Sequence, residues 1–106
     1  MTKTVTTADN GATIEVQPGD EIVVRLEENP TTGYRWETDR VGGPLEPAGD
    51  SYQMSTPGTI GGGGVHEFRF RATAPGTAHL ALKNWRSWEG ENSATRRFAL
   101  DVRIGG

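Results

Sequence analysis

Apolar residues in this chain recur at every second position, and that period leaves strands as the available regular structure. In 21–27 the alternation puts Ile22, Val24 and Leu26 on one face, and in 66–71 Phe68 and Phe70 alternate with charged residues. Leu80 and Leu82 repeat the scheme in 77–82, as do Phe98, Leu100, Val102 and Ile104 in 97–104. Turn signals separate the runs: Gln17-Pro18-Gly19-Asp20, Gly42-Gly43-Pro44 and Ala74-Pro75-Gly76-Thr77. No long amphipathic helix competes. Strands are expected at 12–16, 21–27, 34–38, 50–55, 65–72, 77–83 and 95–104. About seven or eight short strands with regular turns predict an all-β, antiparallel β-sandwich. With 106 residues, the chain is expected to form one domain, 1–106.

Composition removes several function classes. There is no cysteine, hence no disulfide, thiolate zinc site or cysteine nucleophile. A net charge of −3 argues against an electrostatic nucleic-acid binder and against a polybasic membrane surface. Residues 1–7 lack the apolar centre of a secretory signal, and no apolar run reaches spanning length. A soluble monomer is expected, either cytoplasmic or exported with its signal removed. His66 and His79 are expected on the surfaces of separate strands, so neither a metal nor another cofactor is expected. Ser87 or Ser93 lacks the setting of a catalytic nucleophile, and Glu27, Glu28, Glu89 and Glu91 read as solvated carboxylates. An enzyme is the least supported class.

If successive strands alternate in direction, the connections near 29–34, 56–64 and 84–94 emerge at one end. All three are unusual. Asn29-Pro30-Thr31-Thr32-Gly33-Tyr34 forms a stiff polar tip: Pro30 fixes φ and extends Asn29, while Gly33 permits positive φ. Such a tip loses little entropy on docking, although its dipeptides also suit an ordinary turn. Gly61, Gly62, Gly63 and Gly64 allow close backbone approach, or plain flexibility, and lead into a strand rather than a phosphate-binding helix. Trp85, Arg86, Ser87, Trp88 and Glu89 carry residue types that dominate interface hot spots. One indole is expected to fold back, with Trp85 the better candidate, and Trp36 to lie in the core. A second reading makes Trp85 and Trp88 a stacking platform for a carbohydrate or peptide.

Taken together, Asn29-Pro30-Thr31-Thr32-Gly33-Tyr34 with Trp36, the four glycines before a strand, and Arg86-Ser87-Trp88-Glu89 before the last strand resemble the chagasin family. These are protein inhibitors of papain-like cysteine peptidases. The resemblance implies an immunoglobulin-like sandwich whose three loops form a wedge that reversibly and competitively blocks a peptidase cleft. It further implies that Thr31 and Thr32 sit over the catalytic cysteine and histidine. Gly61, Gly62, Gly63 and Gly64 would run along one side, and Arg86 and Trp88 would hold the other. The partner implied is a papain-like cysteine peptidase. Ser87 departs from the family's usual proline, removing a φ constraint from the third loop.

Overall fold

The alternation resolves into eight strands in a computed structural model that describes residues 1–29, 32–54 and 63–105. They are β1 (Thr2–Thr6), β2 (Thr13–Val16), β3 (Glu21–Glu28), β4 (Arg35–Gly42), β5 (Leu45–Met54), β6 (Gly64–Ala72), β7 (Gly76–Trp85) and β8 (Arg96–Ile104). One sheet has the order β1-β3-β6-β5 and the other β2-β8-β7-β4. Their facing sides enclose Ile22, Val24 and Leu26 of β3, Phe68 and Phe70 of β6, and Leu80 and Leu82 of β7. Phe98, Leu100, Val102 and Ile104 of β8 complete the centre, so the period-two faces point where the sequence places them. Each such side chain contributes roughly 1.5–3 kcal/mol through burial. The architecture is an immunoglobulin-like sandwich.

The strand β1 is absent from the sequence expectation. Only Val5 in Thr2–Thr6 is apolar besides the threonine methyls, yet it is 1% exposed and opposite Val24. Both N-terminal strands join in parallel, β1 to β3 and β2 to β8, whereas the other ladders are antiparallel. A single 3-10 turn at Thr7–Asp9 carries the chain from one sheet edge to the other. It is closed by a capping box in which Thr6 Oγ1 accepts from Ala8 N and Asp9 Oδ2 accepts from Thr6 N at 2.9 Å.

Between β4 and β5 the sequence suggests a long Pro/Gly-rich connection, but both strands run on to a tight turn at Gly43 and Pro44. Bulges between Thr38 and Arg40 and between Pro47 and Asp50 absorb the residues that break alternation. Both strands are sheet edges, where Pro47 leaves no ladder partner short of a donor. Gly43 has φ +80°, and a Cβ there would collide with Thr77 O, so the turn requires glycine. Among the described residues no helix is long and apolar enough to cross a membrane.

Strand direction alternates, which brings the β3–β4, β5–β6 and β7–β8 connections to one end. The N-terminal strand should matter to the core beneath them. Val5→Ala is expected to lower stability by about 2 kcal/mol, from lost methyl burial plus a small void. Urea denaturation measures this, and a loss under about 0.5 kcal/mol would show β1 to be a loosely attached edge.

Candidate functional site

The first loop, 29–34, is fastened at its neck by Trp36. Its indole is 3% exposed; its Nε1 donates to Glu27 O at 2.9 Å and its backbone N to Glu28 Oε1 at 2.6 Å. These bonds cross from the start of β4 to the end of β3, so the loop is closed at its base. Within it, Thr32 N and Oγ1 donate to Asn29 O at 3.2 and 2.8 Å, and Thr32 Oγ1 accepts from Tyr34 N at 3.3 Å. The Thr32 hydroxyl therefore stiffens the loop. Gly33 has φ +82°, the conformation its sequence position called for. Pro30 and Thr31 lie outside the described residues, as do Gly61 and Gly62 of the second loop.

The third loop leans on the first. Arg86 Nε and Nη2 both donate to Thr32 O, at 3.1 and 2.9 Å, and its guanidinium lies 4.5 Å above the Tyr34 ring. Arg86 Nη1 also donates to Glu89 Oε1 at 3.3 Å. Trp88 is 71% exposed, and its ring covers Gly33 so closely that a Cβ there would come within 2.7 Å of it. Trp85 is half-buried with Lys83 Nζ 3.7 Å from its ring centre, so it is the indole that folds back. The loop itself is two 3-10 turns, Ser87–Glu89 and Glu91–Ser93, sharing Gly90. Ser93 Oγ accepts from Arg86 N at 3.0 Å and lies 2.6 Å from Gly90 O and 2.9 Å from Arg86 O, which commits that hydroxyl to structure.

Of the glycine loop, Gly63 is exposed and lies beside Glu28 O and the Asn29 side chain, which brings this connection against the first. Gly64 is not a loop residue: it opens β6, is buried, and leaves room that a Cβ would deny to Tyr52 and Gln53 O. Its backbone belongs to the ladder with Glu28 and Met54.

Two clusters escaped the sequence reading. Glu28, read as solvated, is 4% exposed, and its Oε1 also contacts His66 Nδ1 at 3.0 Å. His66, read as a surface residue, stacks on Phe68 at 4.1 Å and reaches Asp50 Oδ2 through Nε2 at 2.6 Å. Alternation held the signal, because Glu28 shares parity with Leu26 and His66 with Phe68. His79 does lie at the surface, paired with Asp101 at 2.8 Å.

The second cluster joins Lys83 Nζ to Glu91 Oε2 at 2.6 Å and to Asp39 Oδ1 at 3.5 Å. Arg97 contacts the same two carboxylates at 3.2 and 3.7 Å. Glu91, too, is therefore a paired carboxylate. The hydrogen bond from Lys83, then that from Arg97, holds the Glu91 carboxyl below its ordinary 4.5. Reciprocally, the bond to Glu91 holds the Lys83 ammonium above its ordinary 10.5. Among the described residues no group of three or more His, Asp or Glu is placed to hold a metal.

The sequence profile described as Chagasin family peptidase inhibitor I42 matches residues 15–102. The chain belongs to the chagasin family. Chagasin of Trypanosoma cruzi is 33% identical over 107 residues, covering 94% of this chain and 96% of its own. Amoebiasin-1 of Entamoeba histolytica is 30% identical over 100 residues, covering 94% and 97%. The crystal structure of the cysteine protease inhibitor EhICP2 from Entamoeba histolytica shares the fold, with a TM-score of 0.86 at 24% identity over 97% of this chain and 95% of its own. As a family, chagasin-like proteins inhibit peptidases, so the activity here is inhibition and not catalysis.

At the chagasin-family proline position, Ser87 opens the first 3-10 turn, where a backbone N–H has no intrahelical partner. Arg86 before it is extended, with φ −103° and ψ 109°, the geometry a following proline demands. Ser87→Pro is therefore expected to stabilise the protein by roughly 0.4–1 kcal/mol. Urea denaturation checks it; destabilisation would mean the backbone at 87 resists the ring.

The charged cluster also sets a pH window. Stability from Glu91 is present above pH 4.5 and is lost as pH falls through its lowered folded value. Stability from Lys83 is present below pH 10.5 and is lost as pH rises through its raised folded value, so the pair is complete between those limits. Titration of the Glu91 carboxyl by NMR is expected to centre below 4.5 and to return toward it in Lys83→Met. A midpoint at 4.5 in both proteins would contradict the pairing.

Proposed function

We propose that residues 1–106 act as one reversible, competitive inhibitor of papain-like cysteine peptidases, and that the three connections at the β3–β4 end block the active-site cleft. The contact that carries this reading is Arg86 on Thr32 O, which makes the first and third loops one preorganised edge. A peptidase cleft admits an extended peptide and attacks its scissile carbonyl. Here the Thr32 carbonyl is turned toward the inhibitor's own guanidinium, where two N–H groups occupy it. Such a loop fills a groove without offering that carbonyl to a thiolate.

In this reading Thr31 and Thr32 face the catalytic cysteine and histidine, with Asn29, Pro30, Gly33 and Tyr34 setting the loop's path. The backbone of Gly61, Gly62 and Gly63 follows one wall of the cleft, and Trp88 with Ser87 and Glu89 meets the other. Arg86 works from within, as the tie to the first loop. An interface of about 800 Å² per partner, anchored by one exposed indole, supplies the affinity. The family relatives support a peptidase as partner. A stacking platform for carbohydrate is less well supported, because Lys83 covers one face of Trp85 and leaves Trp88 as the exposed large aromatic.

Titrating papain with the protein is expected to abolish hydrolysis reversibly, with substrate protecting the enzyme. Unaltered hydrolysis at micromolar protein would remove the proposal. Gly33→Ala is expected to weaken inhibition far more than it lowers stability, since its methyl must displace Trp88 from a backbone already at positive φ. Trp88→Ala should raise the inhibition constant by an amount worth about 1–3 kcal/mol. Full inhibition by both variants would move the contact surface away from these loops.

A further inference from the structure

Resting on the inhibitory reading above, we infer that Glu91 is a positioning residue. Clamped by Lys83 and Arg97, it sets the path of the 86–93 segment, and so the place of Trp88, before a peptidase is met. Trp88 is 71% exposed, so its contact with Gly33 fixes only part of its position and the backbone beneath must fix the rest. That backbone is tied to the sandwich through Glu91. Its Oε2 takes Lys83 Nζ at 2.6 Å and its Oε1 takes Arg97 Nη2 at 3.2 Å, so donors from β7 and β8 each hold one oxygen of the carboxylate.

Lys83 is the rigid side of the clamp. Its side chain is 10% exposed, with its ammonium on the Trp85 face, and Asp39 of β4 at 3.5 Å is its other carboxylate partner. From Glu91 the order passes along the chain. Ala94 N donates to Glu91 O at 3.1 Å and Ser93 N to Gly90 O at 3.0 Å, which sets the second turn. Ser93 Oγ then receives Arg86 N, stapling the far end of the segment to its start. The Arg86 guanidinium finally reaches Thr32 O in the first loop. With the Glu91 and Arg97 side chains both 55% exposed, the clamp adds only modestly to global stability, and its main effect is local order.

The test uses the full chain and two readouts, one of which needs no peptidase. In Glu91→Gln, amide exchange at Arg86, Glu89 and Ser93 of the free protein is expected to accelerate by about tenfold while the urea midpoint falls only slightly. The papain inhibition constant is expected to rise by about tenfold. In that background Trp88→Ala should cost a clearly smaller factor than in the wild type, because an indole already misplaced has less to lose. Lys83→Met should reproduce the pattern through the same contact. Unchanged exchange in both variants overturns the inference, as do strictly multiplicative losses for Glu91→Gln and Trp88→Ala. If the wild-type protein left papain untouched, the inhibitory reading would fall, and exchange would still decide whether Glu91 orders the segment.

Discussion

A carboxylate buried at the end of β3 governs how the loop-bearing end is built. Glu28 is nearly out of water, and an ionised carboxylate there is tolerated only with donors around it. The Trp36 N–H supplies one, and His66 Nδ1 lies within reach of the same oxygen. Because Trp36 begins β4, the bond that satisfies Glu28 also joins the two ends of the first loop. The indole adds a second tie, to Glu27 O, while its ring anchors both in the core. Closure of the loop at its base is thus a consequence of electrostatic necessity there.

The same logic extends across the end of the sandwich. Along each central strand the inward face changes from apolar to polar as it nears the loops: Leu26 gives way to Glu28, Phe68 to His66, Leu82 to Asn84 and Phe98 to Arg96. Where strands leave their ladders, backbone N–H and C=O groups lose sheet partners and need others. Glu28 accepts from Trp36 N, the Tyr52 hydroxyl lies near Glu28 O, and Asn84 O accepts from Thr95 N. The polar layer is the transition between a core that fixes the sheets and loops that project from them.

What could be read from sequence follows how each residue gains its energy. Period two located the strands, since burial is a property of single residues and their parity. The sandwich architecture itself, in which a central Trp is usual, placed Trp36 inside, and strand parity brought the three connections together. An edge strand with one buried valine, β1, gives no such signal, and neither do strands that continue through bulges, as β4 and β5 do. Gly64 looked like part of a loop because glycine's role there, clearance for Tyr52, depends on a neighbouring strand. Glu28 and His66 were misread for another reason. Their parity points inward, but a charged or polar side chain at such a position shows itself as buried only through its partner, and the two lie 38 residues apart in sequence.

The third loop shows two ways to hold a backbone. A proline ring restricts φ covalently, and its effect is indifferent to salt and pH. Ser87 provides no such restriction, yet the segment is held at both ends, by Arg86 on Thr32 O and by Glu91 on Lys83 and Arg97. Electrostatic ties of this kind weaken as ionic strength rises, most for exposed partners such as Arg97 and least for Lys83, which is sheltered from water by Trp85. The base of the first loop is closed by a buried carboxylate and an indole, which salt reaches poorly. It follows that the two segments respond differently to solution conditions: the base of the first loop stays closed while the 86–93 segment beside it loosens as charges are screened.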